Sequence, residues 1–135
     1  MTSIPQDIQL HKKSATLELS YAEGKKFQLS AEFLRVHSPS AEVRGHSKSQ
    51  EVLQTGKKDV KIIDVEIVGN YAIKLVFDDR HDSGIYSWDY LRNLCINTDK
   101  LWQQYLQKLK AAHASRIDLP ADTQVIKMYP LEPEK

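Results

Sequence analysis

The chain has 135 residues, 41% of them hydrophobic and 27% charged, with a net charge of +1 when the histidines are neutral. That is enough apolar material for one domain with a real core, and it excludes a disordered chain. It also removes any bulk electrostatic case for binding nucleic acid or an anionic membrane. The one cysteine, Cys95, leaves no internal disulfide to form, which fits a reducing compartment.

No apolar run approaches the ~20 residues needed to span a bilayer. The first ten residues lack the basic start and apolar centre of a secretory signal, so a cytoplasmic location is expected. Residues 1–12 are polar, contain Pro5 and read as a flexible arm. Leu17, Leu19 and Tyr21 then alternate with Glu18 and Ser20. After a turn at Glu23 and Gly24, Phe27 and Leu29 alternate with Lys26, Gln28 and Ser30. This is a β-hairpin with one wet face.

Ser30 suits the N-cap of a short helix over residues 31–35, with Phe33 and Leu34 as buried anchors. Pro39 stops it by forcing Ser38 towards extended geometry. Residues 38–54 hold few large apolar side chains and read as an irregular crossing with a short strand over 41–44. Ile63, Val65 and Ile67 alternate with Asp64 and Glu66, and Gly69-Asn70 is a two-residue hairpin signal. Tyr71, Ile73, Leu75 and Phe77 face one side of the returning strand. A polar loop over residues 78–83 holds His81, and 84–87 add a short strand.

Ser87 can cap a helix over 88–94, and Asn97 or Thr98 a second over 99–114. In the second, Leu101, Trp102, Tyr105, Leu106 and Leu109 share a face. The tail from residue 115 carries Pro120, Pro130 and Pro133 and reads as loosely packed or mobile. The fold class is α+β: a small antiparallel sheet domain with short helices and a C-terminal amphipathic helix packed on it.

The candidate chemistry centres on His81, flanked by Asp78, Asp79, Arg80 and Asp82. One reading is a metal or proton site of imidazole with carboxylates. The preferred one is a histidine that braces the loop through an aspartate or a carbonyl, because lone His–Asp proximity is common. His37 and His46 could converge on His81, and with Asp78 or Asp79 would suit iron, zinc or nickel. Ser38-Pro39-Ser40 has no nucleophile elbow around it and reads as a turn. Cys95 reads as a small buried hydrophobe. Tyr86, Trp88 and Tyr90 either cover the core or anchor a partner, and the stripe from Trp102 to Leu109 is core or a dimer seam. No Gly-rich phosphate loop, Cys-x-x-Cys pair or paired-carboxylate motif is visible, so an enzyme is not expected.

Two motifs carry a resemblance. The first is Leu34, Arg35, Val36, His37, Ser38, Pro39, Ser40, Ala41, Glu42 and Val43, followed by Gly45 and His46. The second is Phe77, Asp78, Asp79, His81, Ser83, Gly84, Ile85, Tyr86, Trp88 and Leu91. Residues 13–95, which contain both, resemble the small domains similar to the N-terminal domain of gamma-butyrobetaine hydroxylase. The layout this implies is an arm (1–12), that domain (13–95), a C-terminal helix (96–114) and a tail (115–135).

In the hydroxylases the domain precedes an oxygenase domain that uses Fe(II) and 2-oxoglutarate, for which this chain is too short. The resemblance therefore implies a non-catalytic accessory module. Some family members are joined to proteins of iron–sulfur cluster handling, which implies an adaptor for a metalloprotein or an iron–sulfur assembly component. The expected binding surface is Arg35, Ser38, Ser40, His46, Tyr86 and Trp88, with homodimerisation through the C-terminal helix as a further expectation.

The hydroxylase domain carries zinc on three cysteines and one histidine, positions that fall here on Ser38, Ser40, Val43 and His81. Hydroxyls and hydrocarbon are poor substitutes for thiolates, so this zinc site is expected to be lost and no cofactor is expected. The alternative is iron or zinc held by His81 with His37, His46 or Asp79.

Overall fold

Among the described residues, strict alternation of apolar and polar side chains builds two antiparallel three-stranded sheets, and four helices pack around them. The structure, a computed structural model, describes residues 4–44 and 51–117. The first sheet contains β1 (Asp7–His11), β2 (Thr16–Ser20) and β3 (Lys26–Ser30), in that order. Its register sets Ile8 beside Leu19 and Leu19 beside Phe27, and likewise Leu10, Leu17 and Leu29 in the next row. The opposite face carries Gln9, Glu18 and Gln28, with Gln28 Nε2 donating to Glu18 Oε1 at 3.2 Å.

The arm expected over residues 1–12 therefore contains a strand. Ile8 and Leu10 are a two-residue alternation, too short to signal a strand alone but sufficient once β2 supplies a template.

After β3 the chain turns directly into α1 (Ala31–Val36), whose first turn is closed by Phe33 N donating to Ser30 Oγ at 3.0 Å. Residues 41–44, expected as a strand, instead form the short helical turn α2 (Ala41–Arg44). Val43 N and Arg44 N both donate to Ser40 O, at 3.0 and 2.9 Å. With no neighbouring strand among the described residues, the local turn after Pro39 prevails over weak alternation.

The second sheet is β4 (Ile62–Val68), β5 (Ala72–Phe77) and β6 (Gly84–Ser87). Gly69 has φ +54°, the left-handed conformation that the hairpin between β4 and β5 needs. Rows run Ile67, Ile73, Tyr86 and Val65, Leu75, Gly84, and the register slips between Ile62 and Asp64. Leu17, Leu19 and Leu29 from the first sheet share one core with Ile73, Leu75, Phe77 and Tyr86 from the second, closed by Phe33, Leu34, Leu91 and Leu94. Each such side chain contributes roughly 1.5–3 kcal/mol on burial.

Helix α3 (Trp88–Ile96) is capped by Ser87 Oγ, which accepts from Tyr90 N at 3.1 Å. Thr98 begins α4 (Thr98–Ala111), and its hydroxyl donates back to Leu94 O at 2.7 Å, fixing the bend between the helices. Tyr105 and Leu109 are buried with Val36, and Trp102 lies 6.5 Å from the Phe33 ring. Tyr105 and Leu109 of the α4 stripe thus pack against this chain's own α1, while Leu101, Trp102 and Leu106 are partly buried. The segment behind α4 is pinned too. Arg116 forks onto the buried Glu32 with two 2.7 Å bonds, and Gly56 N and Lys58 N donate to Ser115 O and Arg116 O. No helix among the described residues is long and apolar enough to cross a membrane.

Candidate functional site: the Ser38–His81 corner

Where α1 ends, Ser38 N donates to Arg35 O at 3.3 Å and Pro39 turns the chain away. This drives the Ser38 side chain inward, where it is 0% exposed. Its Oγ lies 2.8 Å from His81 Nε2 and accepts from Ser40 N at 3.3 Å. Ser40 Oγ lies 2.7 Å from Ser83 Oγ, a second hydroxyl bridge between the same two loops. Gly84 makes the approach possible. A Cβ there would stand 2.5 Å from Ser38 Oγ and 3.1 Å from Tyr86 Cε1.

The His81 loop is held from the other side by Asp79. One oxygen, Oδ1, accepts from His81 N at 3.2 Å. The other, Oδ2, accepts from Arg35 Nε at 2.8 Å and from Lys57 Nζ at 2.6 Å. Burial pushes the Asp79 carboxyl up, but the Lys57 ammonium and the Arg35 guanidinium outweigh it and hold the group below its ordinary value. Phe77 N donates to His81 O at 2.9 Å, and Arg80 takes the turn with φ +73°. Arg35 is almost fully buried, and its Nη1 has no hydrogen-bond partner among the described residues.

A serine hydroxyl on an imidazole nitrogen has the outline of a catalytic dyad. Here Ser38 offers no exposed surface to a substrate, and the Asp79 carboxylate bonds the histidine's backbone rather than standing as the third member of a triad. Nor does the donor set fit a structural zinc. Of the four positions, two supply hydroxyls bonded to other protein groups, the third is the hydrocarbon Val43, and the histidine Nε2 faces Ser38 Oγ. Among the described residues, no group of three or more His, Cys, Asp or Glu side chains is arranged to hold a metal ion.

The other expected site residues are distributed differently. His37 Nδ1 bonds Phe33 O at 2.9 Å and faces a separate cavity, and His46 lies outside the described residues. Tyr86 donates its hydroxyl to Leu34 O and Trp88 its indole N–H to Asn70 O. Arg35, Ser38, Ser40, Tyr86 and Trp88 are all buried, so those five turn inward rather than forming a surface. Cys95 is buried as expected, and burial pushes its thiol up to about 11, away from reactive thiolate.

This geometry joins the two sequence motifs at one point: the turn after Arg35 against the loop before Gly84. A family model described as gamma-butyrobetaine hydroxylase-like, N-terminal matches residues 8–92 and so includes both. The chain belongs to this gamma-butyrobetaine hydroxylase-like N-terminal family. Its match begins within β1, which places that strand inside the domain.

Two similar solved structures, both described as NMR solution structures, are 50% and 48% identical to it. They cover 94% and 96% of this chain and 100% and 95% of their own, with TM-scores of 0.78 and 0.74. A crystal structure from Acidithiobacillus ferrooxidans is 37% identical, covers 67% of this chain and 90% of its own, and has a TM-score of 0.57. It is described as a protein with unknown function of the DUF971 family. A comparison with curated proteins gives no match.

Two features of this family member went unread in the sequence. One is a cavity of about 500 Å³ between α1 and α4. Its signal was present: Leu101, Gln104, Tyr105 and Lys108, at i, i+3, i+4 and i+7, all line it. The other is the outer edge of β4, where Ile63 and Ile67 are 52% and 66% exposed. Alternation marked these residues as apolar, but only the strand order shows that β4 lies at the margin among the described strands.

Proposed function

We propose that the chain is a non-catalytic binding module that recruits a protein partner along the β4 edge. The observation that carries this reading is the edge itself. Strand β4 bonds only β5 among the described strands, and Ile63, Ile67 and the neighbouring Tyr71 are more than half exposed. Soluble proteins usually blunt such edges, and an exposed apolar one marks a place for strand addition.

Charge narrows the partner. Asp64 and Glu66 alternate with the isoleucines, which favours an extended segment of apolar and basic side chains. A second copy of β4, aligned antiparallel so that Ile63 meets Ile67, would set Asp64 against Glu66, an unfavourable like-charge pair. A different protein fits better. One that handles iron or an iron–sulfur cluster, the class the family resemblance implies, is the first to test. The sealed corner agrees with a non-catalytic role, because its chemistry-bearing groups bond one another.

The test is affinity capture from a native extract with the wild type and with Ile67→Lys. The reading expects a stoichiometric partner that the variant loses while keeping its melting temperature, since Ile67 lies mostly in solvent. No stoichiometric partner, or one retained equally by the variant, contradicts it.

A further inference from the structure

We infer that the cavity between α1 and α4 is a binding site for a small amphipathic monocarboxylate that carries a hydrogen-bond donor in addition to its acid group. The inference is independent of the β4 reading, since no residue of β4 lines the cavity. Its volume, about 500 Å³, falls within the ~300–1,000 Å³ of small-molecule sites. The wall is apolar where Val36, Leu94 and Tyr105, all buried, reach it. Such a wall receives a hydrocarbon or aryl body.

Two polar groups that line it, the Arg44 guanidinium and the His37 Nε2, show no ion-pair or hydrogen-bond partner among the described residues. Arg44 lies over the Tyr90 ring, its guanidinium carbon 5.5 Å from the centroid, and has no carboxylate within ion-pair distance among the described residues. It is therefore a preplaced fork for a carboxylate. Besides Arg44, the charged side chains lining the cavity are Lys108 and Glu51, which stand 3.7 Å apart. Two cations against one anion leave one positive charge, which matches a monoanion better than a phosphate dianion.

His37 supplies the remaining requirement. Its Nδ1 donates to Phe33 O at 2.9 Å, so the neutral ring presents the Nε2 lone pair, for which the structure shows no protein donor among the described residues. Burial keeps the ring below its ordinary value of 6.5, favouring that neutral form. An acceptor in the same cavity as a guanidinium selects an acid that also carries a hydroxyl or an N–H.

The test is a titration of the full chain, followed through its backbone amide NMR signals, with two hydroxy acids: phenyllactate and 2-hydroxyoctanoate. Saturable shifts are expected for at least one of them at Val36, Leu94, Leu101 and Tyr105. Affinity should fall about tenfold for the matching primary amide and about tenfold in Arg44→Gln, the scale of one charge-assisted contact. Gln104→Trp, which narrows the mouth from an exposed position, should abolish binding, while Ile67→Lys should leave it unchanged. Absence of saturation by both acids, shifts centred elsewhere, or undiminished binding by Arg44→Gln overturns the inference. Tighter binding by a tripeptide ending in phenylalanine also overturns it, assigning the cavity to a peptide C-terminus.

Discussion

Ser38 does at residue scale what a metal ligand would do at that position: it joins the end of α1 to the β5–β6 loop. Its hydroxyl meets His81 Nε2 and the Ser40 N–H in a buried space, so removing it takes a hydrogen bond from each of two polar groups. Ser38→Ala should cost about 1–3 kcal/mol in urea unfolding, the loss of two buried hydrogen bonds at roughly 0.5–1.5 kcal/mol each. Gly84→Ala should cost a similar amount by overpacking, about 1–3 kcal/mol, because its Cβ would stand 2.5 Å from the same hydroxyl.

Asp79 adds a pH dependence with a defined sign. Its folded carboxyl lies below the ordinary 3.8, so its contribution is complete above that value and is lost as pH falls through the folded one. The urea midpoint of the wild type should therefore drop more than that of Asp79→Asn between about pH 6 and about pH 3. Equal drops would mean that the Arg35–Asp79–Lys57 cluster is not an energetic support. The position of His81 in this loop was legible in the sequence, but its brace was expected from an aspartate or a carbonyl. Its partner Ser38 could be named only as one of the zinc positions that the family resemblance implies, since 43 residues separate the two and local pattern carries no information at that range.

At the scale of elements, both hairpins were legible because their alternation is long and their turns contain glycine. Strand β1 was not, since its two apolar residues acquire meaning only beside β2. The short strand expected over residues 41–44 failed for the converse reason. It has no partner strand among the described residues, and the turn at Ser40 satisfies its backbone locally. The tether behind α4 was also invisible, because Glu32 and Arg116 are 84 positions apart. Glu32 has only 6% of its side chain exposed. Arg116→Gln should therefore leave a buried carboxylate poorly paired and cost about 3–5 kcal/mol. In hydrogen exchange the loosening should appear first in residues 56–58 and the end of α4, which this segment covers. A uniform change across both sheets would show that the tether is not a local device.

For the whole molecule, the α+β class followed from strands ahead of an amphipathic helix. The division into two three-stranded sheets around one core did not follow, because strand order depends on which edges meet rather than on any strand's own pattern. The same limit hid both candidate recognition features, the β4 edge and the α1–α4 cavity. The corner has an opposite character. It lies between the motifs that define the family, yet it is closed, and its cohesion comes from hydroxyls, an imidazole and an ion-paired carboxylate.

The direct measurement is thermal unfolding of protein isolated without a metal-affinity tag, scanned with chelator, without it, and with added zinc. An ion bound only by the native state would raise the melting temperature. A corner held by hydrogen bonds and packing predicts three superimposable transitions. A chelator-induced fall in melting temperature that zinc restores would contradict the account.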